Sequence, residues 1–277
     1  MIQNIEPRIL DNKYSPRPPH DSDFILVYHD KQAILNAEGR RLPTFGELPS
    51  EWQITKESLT YLFSVDDIAF FLSLRKVAES ETLKYENAHV FFRTLKPNWI
   101  AFSGSTAAHL AMWYDDNKFC GKCAGATEVS TAERAIVCPA CGNLKFPQIS
   151  PVVIVGIING EQLLLVKLAS GYDRYALVAG YVEIGETLED AVKREVMEEV
   201  GLQVSNIRYY KSQPWAFSQS LLMGFFADVA GDDSVSIDKE ELSEGTWFHR
   251  NEIPKDDTTI SLTWNMIESF RSDTHFS

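Results

Sequence analysis

Residues 180–202 read GYVEIGETLEDAVKREVMEEVGL. Glu195, Glu198 and Glu199 stand at i, i+3 and i+4, a spacing that gathers carboxylates on one side of a helix. Like charges packed this closely repel one another unless a cation lies among them. Oxygen donors of this kind suit a hard divalent ion, Mg²⁺ or Mn²⁺.

The ends of the helix are written in the same stretch. Thr187 is a good N-cap with Asp190 three residues on, close to a capping box. Glu186, Glu189 and Asp190 lie at the positive end of the helix dipole, and Gly201 can take the left-handed conformation that ends the helix. At about 100° per residue, Leu188, Val192, Glu195 and Glu199 form one stripe. Val196 and Val200 lie beside it, and Glu198 is on its flank. Asp190, Lys193, Arg194 and Met197 turn to the opposite side. An exposed helix charged for solubility would keep its acids away from the apolar stripe. Here they adjoin it, so the acidic ridge faces the protein body.

This segment resembles the signature of the Nudix hydrolases, G-x5-E-x7-R-E-U-x-E-E-x-G-U with U aliphatic. Gly180, Glu186, Arg194, Glu195, Val196, Glu198, Glu199, Gly201 and Leu202 fill every specified position. The resemblance implies an α+β chain whose catalytic part is an α/β/α sandwich with a mixed sheet. It also implies cleavage of a nucleoside diphosphate linked to another moiety, with metals clamping the pyrophosphate.

The 277 residues exceed one average domain and suffice for two with real cores. A net charge of −13 argues against non-specific binding to DNA or other nucleic acid, which needs a basic footprint. It also disfavours anionic membrane surfaces. The N-terminus has no basic-then-apolar signal pattern. No apolar run is long enough to span a bilayer, and the final SDTHFS is no lipidation or retention signal. A cytoplasmic protein is expected.

Cysteine occurs only as Cys120-x2-Cys123 and Cys138-x2-Cys141, two pairs that bracket 14 residues. The knuckles read CGKCAG and CPACGN, and their glycines let backbone amides turn towards the sulfurs. Disulfides are disfavoured in a reducing cytosol, and a redox CxxC would not explain two matched pairs. One closed structural Zn²⁺ per subunit is the reading; four thiolates leave it no open position for chemistry.

The chain divides by sequence into an N-terminal α+β domain (1–115), a zinc ribbon (116–146) and a catalytic domain (147–277). Residues 1–20 are Pro-rich and expected to fray. DFILVYHDKQAIL reads as a hairpin around His29-Asp30, and SLTYLFSVDDIAFFL as strand leading into a short helix. Thr106 to Tyr114 reads as helix, with His109 as packing. In the catalytic part, PVVIVGIINGEQLLLVKLA reads as a hairpin with a type I′ turn at Asn159-Gly160. Tyr175 to Val182 is a strand feeding the signature loop. NIRYYKSQPW and SLLMGFFADVA are strands, and a helix is expected from about Ser261 to Arg271.

Ten residues past the signature helix stands SQPWAFSQS, Ser212 to Ser220. Two aromatics in a Pro-containing loop beside a phosphate site suggest a nucleotide platform, with Ser and Gln to hydrogen-bond sugar or amide edges. The alternative is a loop that packs its rings into the core. The stretch is similar to SQPWPFPxS, which marks NADH pyrophosphatases among Nudix enzymes. Ser212, Gln213, Pro214, Trp215, Phe217 and Ser220 match, while Ala216 and Ser218 replace two prolines and loosen the backbone. The order of ribbon, signature and this motif is also that of the NADH pyrophosphatase type.

The resemblance assigns two to three Mg²⁺ or Mn²⁺ per subunit to Glu195, Glu199, the Ala179 carbonyl and Glu241, rather than neighbouring Glu240. It makes Glu198 a second-sphere or base residue and Arg194 an ion-pairing partner of the carboxylates. It also implies a homodimer in which Tyr181 and the partner's Phe146 sandwich a base. Glu133 and residues 213–220, including Gln219, contact substrate. The expected reaction is hydrolysis of NAD(H) to nicotinamide mononucleotide and AMP, with NAD-capped RNA as a related substrate. ADP-ribose or a diadenosine polyphosphate is the alternative. A nucleotide sensor without activity is a further one, though sensors of that kind usually lose signature glutamates.

Overall fold

A computed structural model describes residues 1–36, 41–88, 95–171, 174–255 and 260–273. Thr274 to Ser277, the end of the SDTHFS segment, lie outside the described residues. The chain forms two compact units. One runs from Ile2 to Gln148; the other holds Met1 and 149–277.

In the first unit, β1 (Leu10–Asp11), β2 (Phe24–His29), β3 (Gln32–Asn36), β4 (Thr60–Val65), β5 (Ile68–Ser73) and β6 (Leu83–Asn87) form a sheet in the order β1-β4-β5-β2-β3-β6. Helix α1 (Asn98–Asp116) packs on β2, β4 and β5. It begins eight residues before the expected Thr106, because the buried faces of Ile100, Ala101 and Phe102 extend the apolar pattern backwards. The β2–β3 hairpin forms with its turn at Asp30-Lys31, one residue later than the His29-Asp30 expected, and both turn residues have positive φ, as a type I′ turn requires. Two expectations fail. SVDDIAFFL carries a tight turn at Asp66 (φ 51°) into a second strand, and no helix follows β5 in 74–80. Residues 1–20 are also tied down, not frayed. β1 pairs with β4, Arg8 binds Asp66 at 2.9 Å, and Arg17 grips the buried Asp23 with two hydrogen bonds.

The ribbon belongs to this unit. Its strands β7 (Glu128–Val129), β8 (Ile136–Val137) and β9 (Leu144–Lys145) form a three-stranded antiparallel sheet. Arg134 reaches from it to the carbonyls of Asn12 and Leu62, and Tyr14 donates to Ser130 O at 2.9 Å. His109 is a packing residue, half-buried with Nε2 3.3 Å from Gln148 O, and burial lowers its pKa.

In the second unit, β10 (Ser150–Asn159) is the central strand. Along one edge β14 (Ser220–Val229) runs parallel to it. Along the other, β12 (Val178–Tyr181) pairs with its first half and β11 (Gln162–Leu168) with its end, both antiparallel. β13 (Val204–Trp215) and β15 (Leu242–His249) complete the mixed sheet. Strand β10 reads VVIVGII because both of its faces are buried. Val153, Val155 and Ile157 pack under α2 (Leu188–Val200), whereas Val152, Ile154 and Ile158 pack under α3 (Leu262–Arg271). This is the α/β/α sandwich.

The turn after β10 is Gly160-Glu161, one residue later than expected. Only Gly160 of the pair has positive φ (59°), the pattern of a type II′ turn with glycine first. A type I′ turn would have needed a left-handed Glu161.

Gly156 sits on the α3 face of β10, where an added Cβ would lie 2.6 Å from two ring carbons of Phe226. Both groups are fixed in the core, so Gly156→Ala should cost about 1–3 kcal/mol by overpacking. Urea denaturation would read this as a lower midpoint at unchanged slope.

Candidate active site

Helix α2 starts where Thr187 accepts the Asp190 N–H at 3.2 Å, and it ends at Gly201 with φ 69°. Ala191, Val192, Val196 and Val200 are fully buried against the sheet. Glu195 and Glu199 share that face and are 9% and 5% exposed. The acidic ridge therefore points inwards, as the helical spacing requires.

Room for Glu195 comes from the glycine that opens the signature. A Cβ on Gly180 would stand 1.9 Å from the Glu195 carboxyl carbon, so the carboxylate lies directly on the β12 backbone. Only a residue without a side chain permits that approach.

Arg194 binds the cluster together. The helical wheel turns it to the opposite side, but its long side chain folds back. It reaches Glu186 (2.6 and 2.9 Å), Glu195 (2.7 Å), Glu198 (3.0 Å) and Tyr181 O (2.9 Å). Its guanidinium holds Glu186 down to about 2. Glu186 in turn accepts the Glu183 N–H and closes the loop between β12 and α2.

Glu199 has no such partner among the contacts described. Burial first, then Glu195 and Glu241, and lastly Asp238, push its pKa to about 8, against the pull of the Ala179 backbone. Glu195 is also raised, by burial and more weakly by Glu198 and Glu241, with Arg194 opposing. Both pressures include Glu241, which places that carboxylate near both helix residues. The three do not close to mutual ligand distance. Among the described residues, only the four cysteines converge within 4.8 Å. Hard oxygen donors, held from water and short of positive charge, fit a divalent cation.

The cysteine site is closed. Cys120 and Cys141 sulfurs are 3.7 Å apart, and those of Cys123 and Cys138 are 3.4 Å apart. Four thiolates about 2.3 Å from a tetrahedral Zn²⁺ would be separated by about 3.8 Å. The knuckles match: Ala124 N donates to Cys120 O and Gly142 N to Cys138 O, both at 2.8 Å. Each of these residues has positive φ (59° and 70°). Backbone N–H groups of Lys122 and Cys123 lower the Cys120 thiol towards the thiolate a metal needs, whereas at Cys123 the Gly125 N–H is outweighed by the crowded sulfurs of Cys138 and Cys141, which raise that thiol in the absence of a cation.

SQPWAFSQS is a strand end followed by a short turn, not one loop, and its first four residues complete the strand read as NIRYYKSQPW. Ser212 to Trp215 belong to β13 and pair with β14, because their alternation continues the strand. Only Ala216–Ser218 turn, as a 3-10 segment, and Gln219 follows with φ 54°. Trp215 and Phe217 meet edge to face, 4.7 Å between centroids. Ser218 and Ser220 hydroxyls are 2.9 Å apart. Pro214 is exposed. Gln213 is fully buried, accepting from Leu262 N (2.6 Å) and donating to Ile260 O (2.8 Å); its amide anchors α3.

Register sets this tip near the signature. Val152 of β10 pairs with Tyr181 on one side and Leu222 on the other, and Ser150 pairs with Ser220. Tyr181 and the tip thus occupy the same end of β10, two residues apart along it. Tyr181 is half exposed. In the other unit, Phe146 is also half exposed, and Glu133 is exposed in the β7–β8 loop.

Comparison with known proteins agrees with this geometry. Residues 148–269 match the NUDIX domain, and 115–146 match the NADH pyrophosphatase zinc ribbon domain. The chain is 34% identical over 204 residues to a protein of Stutzerimonas stutzeri named NAD-capped RNA hydrolase NudC, covering 73% of this chain and 72% of that one. The chain belongs to the Nudix hydrolases of the zinc-ribbon, NADH pyrophosphatase type. A protein of the same name from Pectobacterium atrosepticum is 44% identical over 147 residues, 53% of this chain and just over half, 56%, of that relative. The crystal structure of a NUDIX hydrolase from Nitrosomonas europaea superimposes with a TM-score of 0.50 at 25% identity, covering 57% of this chain and 92% of that one. A Nudix domain works with Mg²⁺ or Mn²⁺, and the ribbon takes Zn²⁺. No helix among the described residues is long and apolar enough to cross a membrane.

Sequence reasoning missed β15. LSEGTWFH has a glycine in its middle and mostly half-buried residues, so it lacks the clean alternation that marks a strand.

Gly180→Ala should leave the fold intact but displace the Glu195 carboxylate. A shift of about 1 Å in a reacting constellation costs about 10²-fold in rate. Steady-state kinetics beside circular dichroism would separate this from unfolding.

The raised Glu199 gives a pH signature. Its proton is held more tightly in the folded chain than in the unfolded one, so its contribution is full below about 4.5 and is lost as pH rises through about 8. Metal-free protein should lose melting temperature across that window. Added Mg²⁺ should restore more of it at pH 8.5 than at pH 5.5, as differential scanning fluorimetry would show.

Proposed function

We propose that this enzyme hydrolyses the pyrophosphate of NAD(H), releasing nicotinamide mononucleotide and AMP, and that it removes NAD from RNA 5′ ends by the same cleavage. The observation that carries the reading is the register of β10. It brings the acidic face of α2, the exposed Tyr181 ring and the Trp215–Phe217 tip to one end of the sheet. A dinucleotide offers groups for both: a diphosphate for the cation-holding acids and flat bases for the rings. The names of the relatives from Stutzerimonas and Pectobacterium point the same way.

In this reading Glu195, Glu199, Glu241 and the Ala179 carbonyl would hold two to three divalent ions, which would supply charge neutralisation of the diphosphate and a more acidic water. Glu198 or Glu199 takes that water's proton. The water oxygen bonds to one phosphorus, the bridging P–O bond breaks, and the departing phosphate carries away the oxygen and a proton. Glu198 is exposed and bound to Arg194 alone among the contacts described, so it can move towards solvent and substrate. Arg194 positions the carboxylates and takes no part in binding. Tyr181, Glu133 and the solvent-accessible stretch Pro214, Trp215, Ala216, Phe217, Ser218 and Gln219 take the nucleotide, with Phe146 supplied by a partner subunit, while buried Gln213 and Ser220 act by fixing the base of the tip. Cys120, Cys123, Cys138 and Cys141 hold the Zn²⁺.

The protein acts as a cytoplasmic homodimer. Phe119, Leu144 and Phe146 give the ribbon three large exposed apolar side chains, which is compatible with a partner there.

Glu199→Gln should lower kcat by orders of magnitude with an unchanged circular dichroism spectrum. Wild-type enzyme with Mg²⁺ or Mn²⁺, given NADH, NAD⁺, NAD-capped RNA, ADP-ribose and a diadenosine polyphosphate, should yield mononucleotide and AMP from NAD(H), identified by mass spectrometry. Near-normal turnover by the variant, or higher kcat/KM on ADP-ribose or diadenosine, would overturn the assignment. NAD⁺ binding without turnover in any metal would make the chain a sensor.

A further inference from the structure

We propose that Asn143 is a positioning residue of the zinc centre, whose carboxamide N–H binds the Cys120 sulfur and helps keep that thiolate on the metal. The inference rests on the reading above that the four cysteines hold Zn²⁺.

The backbone bonds of the two knuckles repeat one for one. Ala124 N donates to Cys120 O as Gly142 N does to Cys138 O. Cys120 N donates to Gly125 O at 2.8 Å, and Cys138 N to Asn143 O at 2.9 Å. Asn143 of the second knuckle therefore stands where Gly125 stands in the first. Both places face the leading sulfur of the opposite knuckle. Asn143 Nδ2 lies 3.7 Å from Cys120 Sγ, and a Cβ on Gly125 would lie 3.5 Å from Cys138 Sγ. One place carries a donor and the other carries no side chain. A Cβ on Gly125 would also meet the Ala140 Cβ at 3.3 Å, so the first knuckle has little room for an equivalent group.

The two leading sulfurs are thus unequal. Cys120 Sγ accepts from Lys122 N at 3.4 Å and from the Asn143 carboxamide. Among the contacts described, Cys138 Sγ has no N–H donor and meets the Cys123 sulfur at 3.4 Å. An N–H aimed at sulfur favours the charged thiolate, the form a metal binds. Partners outside the ligand set also fix how a ligand points and tune the metal it holds. Asn143 can do both because its own backbone is fixed. Its carbonyl is tied to Cys138 N, and the next residue, Leu144, pairs with Val137. The carboxamide accordingly joins the two knuckles from outside the metal, and it links a sulfur to a residue 23 positions away.

Two measurements on the full chain test this without turnover. The first is loss of Zn²⁺ from the holoprotein to a chromophoric chelator. The second is the thiolate-to-cobalt charge-transfer band of protein prepared with Co²⁺ in place of Zn²⁺. All four cysteines lie in the ribbon, so that band reports on this centre alone. Asn143→Ala should bind Zn²⁺ about tenfold more weakly, the low end of what loss of such an outer partner costs. Its band should move to lower energy, because a sulfur without its N–H partner gives up charge more easily. Asn143→Asp, which keeps the size but puts a carboxylate against the thiolates, should bind no better than Asn143→Ala. If Asn143→Ala keeps wild-type affinity, or loses affinity with the band unmoved, or if Asn143→Asp binds as wild type does, Asn143 has no such role and the zinc centre stands. If the wild-type cobalt protein shows no thiolate band, the four cysteines hold no metal, and both readings fall.

Discussion

Two carboxylates pressed against a strand backbone, in a wall of valines, set the terms for the rest of the catalytic unit. Glu195 lies on Gly180 and Glu199 beside Ala179, each withheld from water. Such burial disfavours the ionised form, and the fold supplies few counter-charges. Arg194 satisfies Glu186, Glu198 and part of Glu195, and leaves Glu199 short of positive charge. The protein therefore stores an electrostatic deficit where a cation is to sit. The glycine, the arginine and the apolar stripe are three parts of one arrangement that keeps the deficit from relaxing.

Much of this is legible in the chain because it is local. Thr187, the 3.6-residue period and Gly201 define α2 without reference to anything else, and two matched CxxC knuckles announce their sulfurs by spacing. The reason for Gly180 is not legible, since nothing in a linear sequence shows that a residue 15 positions later will lie on its Cα. The fate of Gln213 is equally hidden. A glutamine in a serine-, proline- and aromatic-rich stretch reads as a surface hydrogen-bonder, yet tertiary pairing buries it and spends its amide on α3. β15 depends on register with β11, a relation between segments some 75 residues apart.

The ribbon illustrates a different economy. Its three two-residue strands have almost no core of their own, and small domains of that kind need a staple. Four thiolates provide one. Arg134 and Tyr14 supply a second attachment to the N-terminal sheet, whose first strand is itself only two residues long. Each weak element is held by its neighbours, which explains why the Pro-rich beginning of the chain is ordered.

Strand β10 carries β12 on one edge and β14 on the other, and so works as a ruler between signature and aromatic tip. Its two faces are filled by different cores, so a slip of one residue would exchange every valine for its neighbour and is strongly opposed. The tip itself, only Ala216 to Gln219, hangs outside that ruler. Substitutions in the tip, such as the alanine and serine at 216 and 218, therefore leave the register of β10 with β12, and so the spacing to Gly180 and α2, unchanged.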